Sequence, residues 1–171
     1  MKPRIFIFVV MAVAALILSG SANAESGTKA FRASLDGYHE TPLSISTEGS
    51  GVFRATLNPT GDELTYELQY SGLEGGPLLF AHVHIGQTGT TGGVMFFLCG
   101  GGGKPACPNS PGTVTGTVNA SDIIGPAGQG VAAGEFEEAI RAMRTGAAYA
   151  NVHTMVYPSG EIRGQINAVQ F

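Results

Sequence analysis

The chain of 171 residues has no tryptophan, only two cysteines and little charge, with Asp, Glu, Lys and Arg together making 13% of it. Nine basic residues stand against 13 acidic ones, and no Lys/Arg run occurs, which argues against a nucleic-acid partner. No GxSxG, Walker A, HExxH or strand-to-helix GxGxxG is present, so the common signatures of hydrolases, nucleotide enzymes and zinc proteases are missing. Beyond the N-terminus no apolar run approaches the roughly 20 residues that a membrane helix needs. The cysteines, Cys99 and Cys107, match neither CxxC nor a common zinc-ligand spacing.

What is present begins with an export signature. Lys2 and Arg4 precede an apolar run from Ile5 to Leu18, and Ala22-Asn23-Ala24 supplies a small-x-small end. Residues 1–24 therefore read as a secretory signal peptide cleaved after Ala24, leaving 25–171 as one domain, secreted or periplasmic. Export permits a Cys99–Cys107 disulfide across the flexible Gly/Pro loop between them; the alternative is a thiol metal or redox pair.

Glycine is abundant, at 26 residues, and it punctuates short β-like segments. Strands are expected at 29–35, 50–57, 64–70, 78–85, 94–98, 113–118, 147–153 and 161–169. The clearest alternation is Leu64, Tyr66, Leu68 and Tyr70 against Thr65, Glu67 and Gln69, one buried face and one wet face. Asn58-Pro59-Thr60-Gly61-Asp62 reads as a turn that pairs the second and third strands. The one convincing helix spans 135–145, where Phe136, Ile140 and Met143 form a stripe suited to lie over one end of the core. The expected fold is all-β: an antiparallel Greek-key sandwich or barrel with one short helix before the last two strands.

Three of the four histidines sit in two strand segments, Phe80-Ala81-His82-Val83-His84 and Asn151-Val152-His153-Thr154. Residues i and i+2 of a strand point the same way, about 7 Å apart at the backbone. His82 and His84 therefore present two imidazoles on one face, and His153 supplies a third if its strand lies alongside. Three imidazoles with an open position are competent to bind copper, zinc, iron or nickel. His39, from an early loop, is a candidate fourth ligand. The competing reading is that each ring simply bonds to a backbone carbonyl or a carboxylate. Asn151 shares the His153 face and is placed to fix that ring's tautomer, or is an ordinary polar strand residue. Arg163 reads either as an anion guide or as a structural arginine that binds loop carbonyls. Glu161 is expected to pair with Arg163 or a neighbouring strand, or to face water. Glu40 joins it as a carboxylate pair only if the fold brings the two together.

These same residues carry a resemblance. Leu35-Asp36-Gly37, Glu40-Thr41-Pro42, Gly49-Ser50-Gly51, Ser71-Gly72-Leu73, Ala81-His82-Val83-His84 and Tyr149-Ala150-Asn151-Val152-His153-Thr154 resemble the CHRD domain. The closing Pro158-Ser159-Gly160-Glu161-Ile162-Arg163-Gly164-Gln165-Ile166 is its most specific block. The resemblance runs from about Lys29 to Ile166. It implies a secreted binding or structural module without established catalysis, its partner an extracytoplasmic protein or a metal ion. Where many members carry prolines after the HxH, this chain has Gln87-Thr88-Gly89 and Gly92-Gly93. A looser similarity, to copper–zinc superoxide dismutase, matches His82 and His84 to that family's copper-binding pair, His153 to its late ligand and Arg163 to its anion-guiding arginine. A bridging histidine and a zinc cluster are missing. This similarity implies a Greek-key fold with a lone copper site and dismutase-like redox activity as the alternative function, not a full dismutase.

Overall fold

Short alternating segments separated by glycine and proline have one stable outlet, which is to pair edge to edge and bury a shared apolar face. The computed structural model describes residues 29–169, so the expected leader at 1–24 lies outside the described residues. Nine strands form: β1 (Ala30–Asp36), β2 (Ser50–Leu57), β3 (Leu64–Ser71), β4 (Leu78–Ile85), β5 (Val94–Cys99), β6 (Gly112–Val118), β7 (Ala148–Thr154), β8 (Ile162–Gln165) and β9 (Asn167–Val169). Among the described residues one α-helix, α1 (Phe136–Arg144), precedes β7.

All strand pairs are antiparallel, in the order β5-β4-β7-β8-β1-β2-β3-β6, with β9 also on β1. The sheet curls into a nearly closed barrel. Across the remaining gap between the two edge strands, the Tyr66 hydroxyl donates to the Leu98 carbonyl at 2.7 Å. The Cys99–Cys107 disulfide ties the end of β5 to the loop that leads to β6, with the Cα atoms 5.0 Å apart. Covering that seam leaves less edge to pair with other chains. No helix among the described residues is long and apolar enough to cross a membrane.

The β2–β3 hairpin forms as expected, and its turn is held by Asn58. That side-chain oxygen accepts from the amides of Gly61 at 2.7 Å, Asp62 at 3.1 Å and Glu63 at 3.3 Å. Inward-facing Phe31, Phe53, Leu64, Leu68, Val83, Phe96, Ile162 and Ile166 fill the barrel. Helix α1 adds Phe136, Ile140 and Met143 to that core, which is the stripe its spacing predicts. The expected strand at 161–169 differs in one respect: it breaks at Ile166 into β8 and β9. The Ile166 amide still donates to Ala148 on the β7 side at 2.8 Å, and from Asn167 onward the chain pairs with β1 instead. The break lets one segment serve two neighbours.

Candidate metal centre

Strand β7 lies between β4 and β8, and this adjacency assembles the site. His82 stands opposite Asn151, His84 opposite Tyr149 and Phe80 opposite His153. Ala81 and Val83 point into the barrel, so parity turns Phe80, His82 and His84 outward. On the other side of β4, the register with β5 shifts between Ala81 and His82 and again between Val83 and His84. Such bulges re-aim side chains, and here one precedes each histidine.

An outward face would ordinarily be wet. All seven residues of β7 are nevertheless buried, because three loops fold over this wall. The loop after β1 brings Glu40 and Thr41, the β4–β5 loop brings Gln87 to Gly92, and the β7–β8 loop brings Pro158 and Gly160. His82, His84 and His153 are only 4%, 9% and 5% exposed.

The three rings converge. The centroid of His82 lies 4.4 Å from those of both His84 and His153. Taking one ring nitrogen from each, the three candidate ligand atoms lie within 4.8 Å of one another. Two nitrogens bound at about 2.1 Å to one tetrahedral ion would stand roughly 3.4 Å apart, so modest ring rotations close the set. His84 Nδ1 bonds to the Gly92 carbonyl at 2.8 Å, and His153 Nδ1 bonds to the Pro158 carbonyl at 3.0 Å. A carbonyl only accepts, so both Nδ1 atoms carry the proton and both Nε2 atoms are left as lone-pair donors. His84 Nε2, His153 Nε2 and His82 Nδ1 are buried with no hydrogen-bond partner. The Gly92 carbonyl comes this near because a Cβ at position 92 would land on the Ile85 carbonyl oxygen, so a glycine is needed there.

Burial holds all three imidazoles neutral. Desolvation, with the neighbouring histidines adding to it, pushes His82 down to about 2. Desolvation likewise lowers His84 and His153 to about 4 each, although their carbonyl bonds oppose it. Neutral imidazole is the form that ligates metal. Phe80 packs against His82 and His153 at 5.2 and 4.7 Å, and Phe97 meets the His82 ring edge-on at 5.2 Å. On the far side Tyr149 stacks on His84 at 4.6 Å, nearly parallel.

The other expected residues fall as follows. His39 does not join the cluster: it is exposed, and its Nδ1 pairs with Asp36 at 2.7 Å on the same short turn. The Asn151 amide donates not to a histidine but to Glu40 Oε1 at 2.5 Å and to the Ile162 carbonyl. The tautomers are set instead by the Gly92 and Pro158 carbonyls. Arg163 is buried. Its guanidinium donates to Thr41 Oγ1 and to the Thr90 and Gln87 carbonyls, and it lies 3.4 Å over the Tyr149 ring.

Glu161 neither faces water nor pairs with Arg163. It is fully buried and accepts four hydrogen bonds, from Thr47 Oγ1, the Glu74 and Gly75 amides and Thr154 Oγ1, at 2.7 to 3.0 Å. Glu40 is buried elsewhere, against Gly160, where a Cβ would meet both of its carboxylate oxygens. Desolvation raises Glu40 to about 7, against the pull of Arg163 and of its hydrogen bonds. Tyr149 was not singled out in the sequence, although strand parity places it on the same face as Asn151 and His153.

No curated protein and no solved structure gives a significant match to the chain. The family model of the CHRD domain matches residues 31–166, a span that takes in the histidine triad, its bracing loops and the barrel that carries them: the chain belongs to the CHRD domain family.

Proposed function

We propose that this CHRD domain is a metal-binding module of an exported protein, holding one transition-metal ion on His82, His84 and His153, and that binding rather than turnover is its role. One observation carries the reading: three buried imidazole nitrogens point at a common space with no hydrogen-bond partner. Leaving a buried acceptor unsatisfied costs about 1–3 kcal/mol, which a fold has no reason to bear three times over unless a ligand meets those atoms. Copper is our proposed metal, because imidazole suits it and, among the described residues, no carboxylate or thiolate joins the three histidines to favour another ion. The disulfide supports an oxidising, extracytoplasmic setting.

Titration of metal-free protein with copper, read by calorimetry and elemental analysis, tests this. One equivalent is expected to bind, and none to His82→Ala/His84→Ala protein. Unchanged uptake by the double variant would overturn the assignment. A superoxide turnover assay on the copper-loaded protein separates binding from catalysis, and measurable turnover would overturn the non-catalytic part.

A further inference from the structure

The donors offered at this site are all neutral. Among the described residues no carboxylate and no thiolate joins the three histidines, and both cysteines are committed to the disulfide. The nearest buried acids are turned to other work: Glu161 is held by its four donors, and Glu40 is bonded to Asn151. The walls are aromatic, with Phe80 and Phe97 against His82. A positive charge stands behind this wall: the Arg163 guanidinium stacks on the Tyr149 ring, which in turn stacks on His84, and it acts electrostatically against a positive charge on that ring.

Building on the metal-binding reading, we infer that the site selects monovalent copper, Cu(I), over Cu(II) and Zn(II). The cost of taking an ion out of water scales with the square of its charge, so a divalent ion pays about four times the penalty of a monovalent one. Here no anionic ligand offsets it, and Arg163 adds repulsion. Coordination number works in the same direction. Zinc in closed sites takes four ligands and Cu(II) prefers a tetragonal set, whereas Cu(I) is satisfied by three nitrogens in a plane. Three rings buried beside aromatic side chains provide three neutral donors and no anion of their own to complete a divalent ion's set. This reverses the order that imidazole donors alone would give, in which Cu(II) leads.

The test is competition on metal-free protein. Cu(I) is delivered without oxygen from its bicinchoninate complex, and Cu(II) and Zn(II) are measured separately against chelators of known affinity. Cu(I) is expected to bind at least about 100-fold more tightly than Zn(II) or Cu(II), and the bound copper is expected to give no electron paramagnetic resonance signal. Phe97→Glu places a carboxylate beside His82 on a half-buried strand position, and it is expected to narrow the Cu(I)-to-Zn(II) ratio at least about tenfold. Equal or tighter binding of either divalent ion to the unaltered protein would overturn the Cu(I) preference and leave the metal site standing. No binding of any of the three ions would overturn both.

Discussion

Replacing His82 by leucine separates a ligand from a structural residue. In metal-free protein the His82 ring is 4% exposed and its Nδ1 has no partner. Removing a buried unsatisfied acceptor should return about 1–3 kcal/mol. Leucine is close in volume and keeps contact with Phe80 and Phe97, although the ring–ring contacts, worth about 0.5–1.5 kcal/mol, are lost. The net at pH 7.5 is a gain of about 1 kcal/mol, or roughly 3 °C in Tm for a domain of this size. At pH 5 the gain should grow. Burial lowers His82 to about 2 from its ordinary 6.5, so below pH 6.5 the unfolded chain takes a proton that the folded chain refuses. That linkage costs the wild type about 2 kcal/mol at pH 5 and costs the leucine variant nothing, which brings the difference to about 3 kcal/mol. Urea unfolding followed by circular dichroism, with EDTA present and at both pH values, measures it. With metal at 100 times its Kd the order should reverse, because only the wild type gains about 2.7 kcal/mol from binding. If His82→Leu in EDTA is less stable than wild type by more than about 1 kcal/mol at both pH values, the ring makes a structural bond and the reasoning fails.

The whole metal-free protein should lose about 4 kcal/mol between pH 7.5 and pH 5: the three depressed histidines together cost about 6, and Glu40, raised to about 7 and so more stable protonated, returns about 2. A stability profile that is flat across that window would contradict neutral burial of the triad. Glu161→Gln should cost about 3 kcal/mol, since an amide nitrogen cannot accept from the Gly75 amide, and a Tm within about 2 °C of wild type would refute that account. Arg163→Lys keeps the charge but loses the fork to Thr41 and Thr90 and the flat stack on Tyr149, so hydrogen exchange in the 86–92 loop should quicken and metal affinity should weaken by about tenfold. Loss of the Cys99–Cys107 link should cost about 2–3 kcal/mol in chemical denaturation, the amount expected for closing so short a loop, whose ends are 8 residues apart.

The strands are readable where a period-2 pattern faces the core: Leu64 to Tyr70 alternates without interruption, and its buried and wet faces follow, whereas β5 reads from an unbroken apolar run. The outward pairing of His82 and His84 was readable for the same reason. Adjacency of β4 and β7 is a long-range fact that no local pattern states. The closing sequence block points to a shared family arrangement, but only the register of His82 with Asn151 brings the third ring in. Of the partners expected for Glu161, the neighbouring strand is found, through Thr154 of β7, while Arg163 and water are not; its other donors, from Thr47 and from Glu74 and Gly75, come from distant parts of the chain that no local pattern links. His39 sits beside Glu40 in sequence, yet the chain turns between them. Asp36 captures the imidazole locally, while the next side chain goes under the roof. Tyr149 carries no distinguishing signal in the sequence, because its partners, the His84 imidazole and the Arg163 guanidinium, come from other strands.

The β4–β7 pairing also fixes when the centre can exist. His84 and His153 come from strands separated by β5, β6 and α1, and the carbonyls that orient them lie in the loops that follow each strand. A chain in which β7 has not yet paired with β4 therefore carries His82 and His84, two residues apart, but not the third ring beside them. Such a chain offers a metal two loose imidazoles at most. Under the metal-binding reading proposed above, loading therefore belongs to the end of folding, in whichever compartment the barrel closes.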